Sequence, residues 1–252
     1  MSLGQHFIEL RKRLFISAIA ILVGSIGGWF VFDPIFAALR APVAAMVRSH
    51  AASINFSGIG TPFDLRIQIA VTVGVVIASP IWLWQILAFL VPGLTRKEKR
   101  YTFGFLFTAI PLFLAGCAAG WFVFPHIVGV LNSFVPHGTT SFIEARDYLG
   151  FVLKLVLAVG IAFVLPVFLV LLNFLTILSG RSIIRSWRWA ILLIFVFCAI
   201  ATPSADVGSM FLLAVPMIAL YLIAALIAIL HDRAAAKRAD ALSASLGDAA
   251  AA

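Results

Sequence analysis

Six stretches, at about 14–32, 65–89, 101–124, 148–172, 189–201 and 207–230, are dominated by apolar residues and nearly free of charge. A helix needs about 20 residues to cross a hydrocarbon core of roughly 30 Å, and five of the six stretches reach that length. Unpaired backbone groups in lipid cost several kcal/mol each, so a chain of this kind crosses as helices or as a closed barrel. The strict alternation of a barrel strand is absent, which leaves helices. Composition agrees, with 63% hydrophobic and 11% charged residues and a mean hydropathy of +1.13. The sequence therefore predicts an all-α integral membrane protein with six transmembrane helices in one domain, 1–230, followed by a tail, 231–252, that reads as a frayed helix leading into disorder. The fifth span is short. Its 13 residues cover roughly 20 Å, so the bilayer must thin or neighbouring helices must cover the difference.

The net charge of +8 does not point to nucleic acid, because the bases flank apolar runs. The blocks Arg11–Arg13, Arg96–Arg100, Arg181–Arg188 and Arg233–Arg238 fall on one side of the bilayer if the spans alternate. The positive-inside bias makes that side cytoplasmic, with both termini inside. Asp33-Pro34 ends the first span, which lacks a small-residue cleavage site and reads as uncleaved. Between spans 1 and 2, Ile35, Phe36, Leu39, Val43, Met46 and Val47 recur at helical spacing, as in an interfacial amphipathic helix. Pro80, Pro111, Pro166 and Pro216 lie inside spans and are expected to bend them, giving a concave scaffold. Cys117 and Cys198 form no CxxC and read as buried free thiols.

The acids narrow the function further. Asp33, Asp64, Glu144, Asp147 and Asp206 lie at outer ends of spans, and Asp232, Asp240 and Asp248 in the tail. Glu9 and Glu98 are then the carboxylates of the ordered cytoplasmic surface, each inside a basic block: HFIELRKRL and LTRKEKR. No acid lies near the midplane, where a proton-coupled carrier needs an ionisable relay. No GxSxG, HExxH or P-loop is present, so neither an enzyme, a metal or other cofactor, nor a nucleotide-driven motor is indicated. Two acids held among bases, beside Phe7, Trp82, Trp84 and Phe89, suit a basic and partly apolar peptide. The guanidinium fork of arginine matches carboxylate oxygens better than a lysine ammonium does. The plainer reading is a Glu9–Arg13 pair at i, i+4 and a Glu98 that dilutes a stop signal. Composition alone leaves a small-solute carrier and a lipid-embedded scaffold as alternatives.

HFIELRKRL, SPIWLWQILAFLVPGLTRKEKR, the TPF before span 2, the LPV of span 4 and the TPSAD before span 6 together resemble the TatC family, in order, from His6 to about Leu230. TatC is the polytopic core subunit of the twin-arginine protein translocase. The resemblance implies a non-enzymatic receptor in the bacterial cytoplasmic (inner) membrane. It would bind twin-arginine signal peptides on its cytoplasmic face. With single-span TatA-type and TatB-type subunits, in a multimeric complex driven by the proton motive force, it would export folded proteins. The family's two signal-binding acids match Glu9 and Glu98, and Arg13, Gln85, Phe89 and Pro92 also fall on motif positions. Val164 and Met210 stand where the family commonly carries polar residues that contact partner subunits or the signal's deeper part, and the short hairpin of spans 5 and 6 is expected to bring Met210 and Thr202 near a single-span partner.

Overall fold

The computed structural model describes residues 3–47, 52–56, 58–90, 96–133, 141–201 and 207–251. The elements run α1 (Leu3–Phe30), α2 (Phe32–Val47), β1 (Ala52–Asn55), α3 (Thr61–Ile77), α4 (Ser79–Leu90) and α5 (Arg96–Ser133) in the first half. They continue as β2 (Ser141–Glu144), α6 (Ala145–Phe174), α7 (Gly180–Arg185), α8 (Trp187–Ala201) and α9 (Val207–Ala251). Four helices are long and apolar enough to cross a membrane, within α1, α5, α6 and α9. A fifth span is formed if α3 and α4 count together, bent by 59° at their junction, and α8 is a shorter apolar helix of 15 residues. The expected six segments are thus present, but length and composition alone assign four or five of them as spans.

The bundle is built around α6, whose apolar window is 61% buried, against 6% for α1. Glycines let neighbours approach it, since a Cβ on Gly116 of α5 would lie 2.8 Å from Val159 O of α6. Small residues at such crossings allow the backbone contact that substitutes for a hydrophobic driving force in lipid. Phe113, Phe124, Leu149, Leu155 and Leu171 fill the space between α5, α6 and the flanking helices.

The bend between α3 and α4 falls at Ala78–Pro80, because a proline has no amide hydrogen to donate and its ring clashes with the preceding turn. Trp82 supplies a donor at the break, its indole Nε1 donating to Val75 O at 2.9 Å, while its ring meets the edge of Phe113 at 5.2 Å. Trp82 therefore belongs to the repair of the broken helix and not to a peptide-receiving surface. Trp82→Phe should remove the donor, keep most of the ring packing and destabilise the protein by about 1–2 kcal/mol, measurable as a lower melting temperature in detergent. Pro111 and Pro125 of α5, Pro166 of α6 and Pro216 of α9 lie within continuous helices, whereas at Pro80 the helix is interrupted.

At the end of the bundle where α1 stops, the stretch with the amphipathic pattern forms the separate helix α2. Leu39 is fully buried and its carbonyl accepts a hydrogen bond from Tyr148 Oη at 2.9 Å. Beside it, β1 and β2 form a parallel pair with Asn55 opposite Glu144. Four-residue strands are too short to show a period, so no sequence pattern announces them. Asp64 and Arg146 meet at 3.4 Å, and the Arg66 guanidinium lies over the rings of Trp29 (4.7 Å) and Phe32 (5.1 Å). At the other end, α9 continues as helix to Ala251, where the sequence suggested disorder beyond a frayed helix. Its alanine-rich composition has the highest intrinsic helix propensity, which explains the continuation.

Candidate functional site

The first turns of α1 carry Glu9 and Arg13 four residues apart, hence on one face. Arg13 donates to Glu9 Oε1 through Nη2 at 2.7 Å and Nε at 3.1 Å. Its remaining arm, Nη1, donates across to Gln85 Oε1 of α4 at 3.2 Å. The bend at Pro80 sends α4 along α1 and brings Gln85 into this reach. One turn further along α4, Phe89 stacks on His6 with ring centroids 4.5 Å apart. His6 was not singled out in the sequence, although its place three residues before Glu9 puts it near the same face.

These side chains border an open groove of about 450 Å³ lined by Gln5, Ile8, Glu9, Lys12, Arg13, Ile16 and Gln85. Glu9 and Arg13 are both about three-quarters buried at the side chain. Arg13 engages Glu9 through one oxygen, and among the described residues no hydrogen bond falls on the other, Oε2. The carboxylate is thereby oriented by a fixed arginine while keeping acceptor capacity toward the groove. Lys12 and Arg13 outnumber Glu9 in the lining, so a cation that does not reach the carboxylate is repelled. Ile8 and Ile16 add exposed apolar surface to the groove lining.

Of the other predicted site residues, Glu98 falls in the first turn of α5, and its side chain lies outside the described residues. Pro92 and Thr202 also lie outside them. Met210 is half-buried near the start of α9. Val164 is only 2% exposed, so it packs the interior of the bundle and does not line an open face.

Asp232, assigned from sequence to the tail, is instead an ordered structural acid, which corrects the reading of Glu9 and Glu98 as the only carboxylates on that side. Its Oδ2 accepts the Gly180 amide at 2.6 Å, satisfying an orphan donor at the start of α7. Its Oδ1 accepts Asn173 Nδ2 at 2.8 Å, and the same amide nitrogen donates to Leu178 O at 2.9 Å. Aromatic contacts tie this corner to the groove side, with Trp84 on Phe103, Phe105 on Phe174, and Phe174 on His231. Asp232→Ala should free the start of α7 from α9 and cost about 1.5–3 kcal/mol, read as a lower melting temperature and faster proteolysis in the 175–186 turn. Asp232→Asn should cost less, because the amide oxygen still accepts one of the two bonds.

The fold and this groove define a polytopic helical membrane protein that presents an oriented carboxylate at one end of its bundle. The chain belongs to the TatC family: the model of Sec-independent protein translocase protein (TatC) matches residues 5–216. It is 45% identical over 240 residues to the Sec-independent protein translocase protein TatC of Xylanimonas cellulosilytica, covering 94% of this chain and 87% of that protein. The TatCy protein of Bacillus subtilis is 32% identical over 247 residues, 97% and 94% of the two chains. A crystal structure of twin arginine translocase receptor TatC in DDM superposes with a TM-score of 0.75 at 32% identity, covering 88% of this chain and 99% of that one. A second crystal structure of that receptor gives 0.73 at 33% identity, covering 89% and 98%. The protein is thus a component of a protein translocase with membrane-spanning helices.

Proposed function

We propose that this protein is the receptor for twin-arginine signal peptides, binding them at its cytoplasmic face through Glu9 and Glu98. The observation that supports this most directly is the Glu9 carboxylate, held by Arg13, itself bonded to Gln85, in the lining of a groove large enough for side chains of a peptide. A signal arginine takes the open oxygen of Glu9, and Glu98 takes the second arginine from the first turn of α5. Phe89 and Pro92 support the apolar residues that follow. The chain crosses the cytoplasmic membrane six times, α8 included, with both termini inside. Thr202 and Met210, at the hairpin between α8 and α9, meet a single-span TatA-type or TatB-type partner, while Val164 supports that face from within. Export of folded proteins then runs on the proton motive force in a multimeric complex.

Photo-crosslinking tests the site. A twin-arginine signal peptide carrying a photoreactive residue beside the arginine pair should be captured by the purified protein on α1 near Glu9 and on α5 near Glu98. Capture confined to the far end of the bundle, near β1 and β2, contradicts the reading.

Topology gives a separate expected result. In a background lacking Cys117 and Cys198, cysteines at Ser57, Thr139 and Ser204 should label from outside intact cells, and those at Ser2, Thr95 and Ser182 should not. Labelling at Thr95 from outside inverts the orientation and removes the cytoplasmic receptor with it.

A further inference from the structure

A second cavity, of about 460 Å³, opens between α6, α8 and α9 beneath α7. Leu165, Phe168, Leu193, Ile194 and Met217 form much of its wall, and none of the residues lining it is charged. Two of its three hydroxyls are occupied by the protein itself: Tyr221 Oη donates to Ile183 O at 2.6 Å, and Ser186 Oγ donates to Ser182 O at 2.8 Å. A guest therefore meets hydrocarbon and few free polar groups. A helix of 10–12 Å diameter would fill such a volume in about one turn, so the span of a partner does not fit inside it, whereas a single hydrocarbon chain can follow it.

The mouth of the cavity has a different character. Ser182, Ser186 and Trp189 line it, and Arg181, Arg185 and Arg188 interleave with them on the same turns of α7 and α8. All three arginines are exposed, and among the described residues none forms a salt bridge to an acid. Trp187 and Trp189 are exposed at the same level, where aromatic side chains mark the boundary between hydrocarbon and headgroups. Arg188 lies over the Trp187 ring at 5.6 Å, and an apolar slot ending in guanidinium groups that no described carboxylate neutralises matches an anionic lipid at both its ends.

We propose that this is a binding site for one anionic phospholipid, with an acyl chain in the cavity and the phosphate held by Arg185, Arg188 and Arg181. The lipid joins α6, α8 and α9 where α8 is too short to seal the bundle alone. Native mass spectrometry of the detergent-purified protein, titrated with phosphatidylglycerol or phosphatidylcholine, tests it. Phosphatidylglycerol should be retained roughly ten-fold or more tightly than phosphatidylcholine, and the double variant Arg185→Ala/Arg188→Ala should erase that preference. Ala190→Phe, which fills the cavity and leaves the arginines in place, should weaken both lipids. Equal retention of the two lipids by the unaltered protein overturns the proposal, as does an unchanged preference in the arginine variant. Displacement of phosphatidylglycerol by millimolar inorganic phosphate shows that the arginines bind phosphate without the chain, and also overturns it. So does a photo-crosslinker at Leu193 that captures a partner's span in place of lipid in membranes holding the whole translocase.

Discussion

Gly74→Val should largely abolish recovery of folded protein, the largest effect expected of any single substitution considered. The warrant is geometric: a Cβ at Gly74 would lie 2.6 Å from Ser25 N and 2.7 Å from Ile21 O, both backbone atoms of α1. From the other side, a Cβ at Gly28 would lie 2.5 Å from Ala70 O and one at Gly24 would lie 2.8 Å from Gly74 O. Neither helix can yield by turning a side chain, so α1 and α3 must separate. Overpacking of this kind costs typically about 1–3 kcal/mol where side chains absorb it, and more where backbones meet. Because α3 carries α4, the separation also draws Gln85 away from Arg13. Gly104→Ala, at a position with nothing within 4 Å of the added carbon, is the matched control and should be neutral or slightly stabilising. Yield after size-exclusion chromatography and melting temperature in detergent distinguish the two.

The second large effect concerns binding. Glu9→Ala should weaken the affinity for a twin-arginine peptide about ten-fold to a hundred-fold, the equivalent of about 1.5–3 kcal/mol for a charge-assisted contact. Glu98→Ala should act in the same range. A twin-lysine peptide, lacking the planar fork, should bind weakly to the unaltered protein and change little in either variant. Glu9→Ala also releases Arg13 from its only salt bridge among the described residues, which leaves the groove more positive. The loss should therefore deepen at low ionic strength, where repulsion between the freed bases and the peptide is least screened. Calorimetric titration at two salt concentrations reads both effects.

Much of this arrangement was legible in the sequence, and the reasons are physical. Apolar length forces helices, so α1, α5, α6 and α9 follow from composition along the chain. Asp33-Pro34 and Pro80 mark breaks because a proline cannot continue the hydrogen-bond ladder. Glu9 and Arg13 could be paired from their four-residue spacing alone. Contacts between distant segments could not be read that way. Nothing local in the sequence places Gln85 against Arg13, since that pairing needs both the 59° bend and the glycine contacts of α1 with α3. Asp232 looked like one more charge in a polar tail, because its partners, Asn173 and Gly180, are 59 and 52 residues away. Trp82 looked like part of an aromatic surface because a free carbonyl at a helix break leaves no mark on the sequence. Lys97, Lys99 and their neighbours read as a charged stop, but a stop signal alone does not say what Glu98 is for.

The most direct measurement is a double-mutant cycle between each glutamate and each signal arginine, with peptide affinity as the readout. Recognition of paired arginines by paired carboxylates predicts that at least one combination with Glu9 and one with Glu98 couples by about 1 kcal/mol or more, each glutamate favouring a different arginine. Coupling near zero for all combinations would contradict it and return Glu9 and Glu98 to ordinary members of two basic, solvated charge runs.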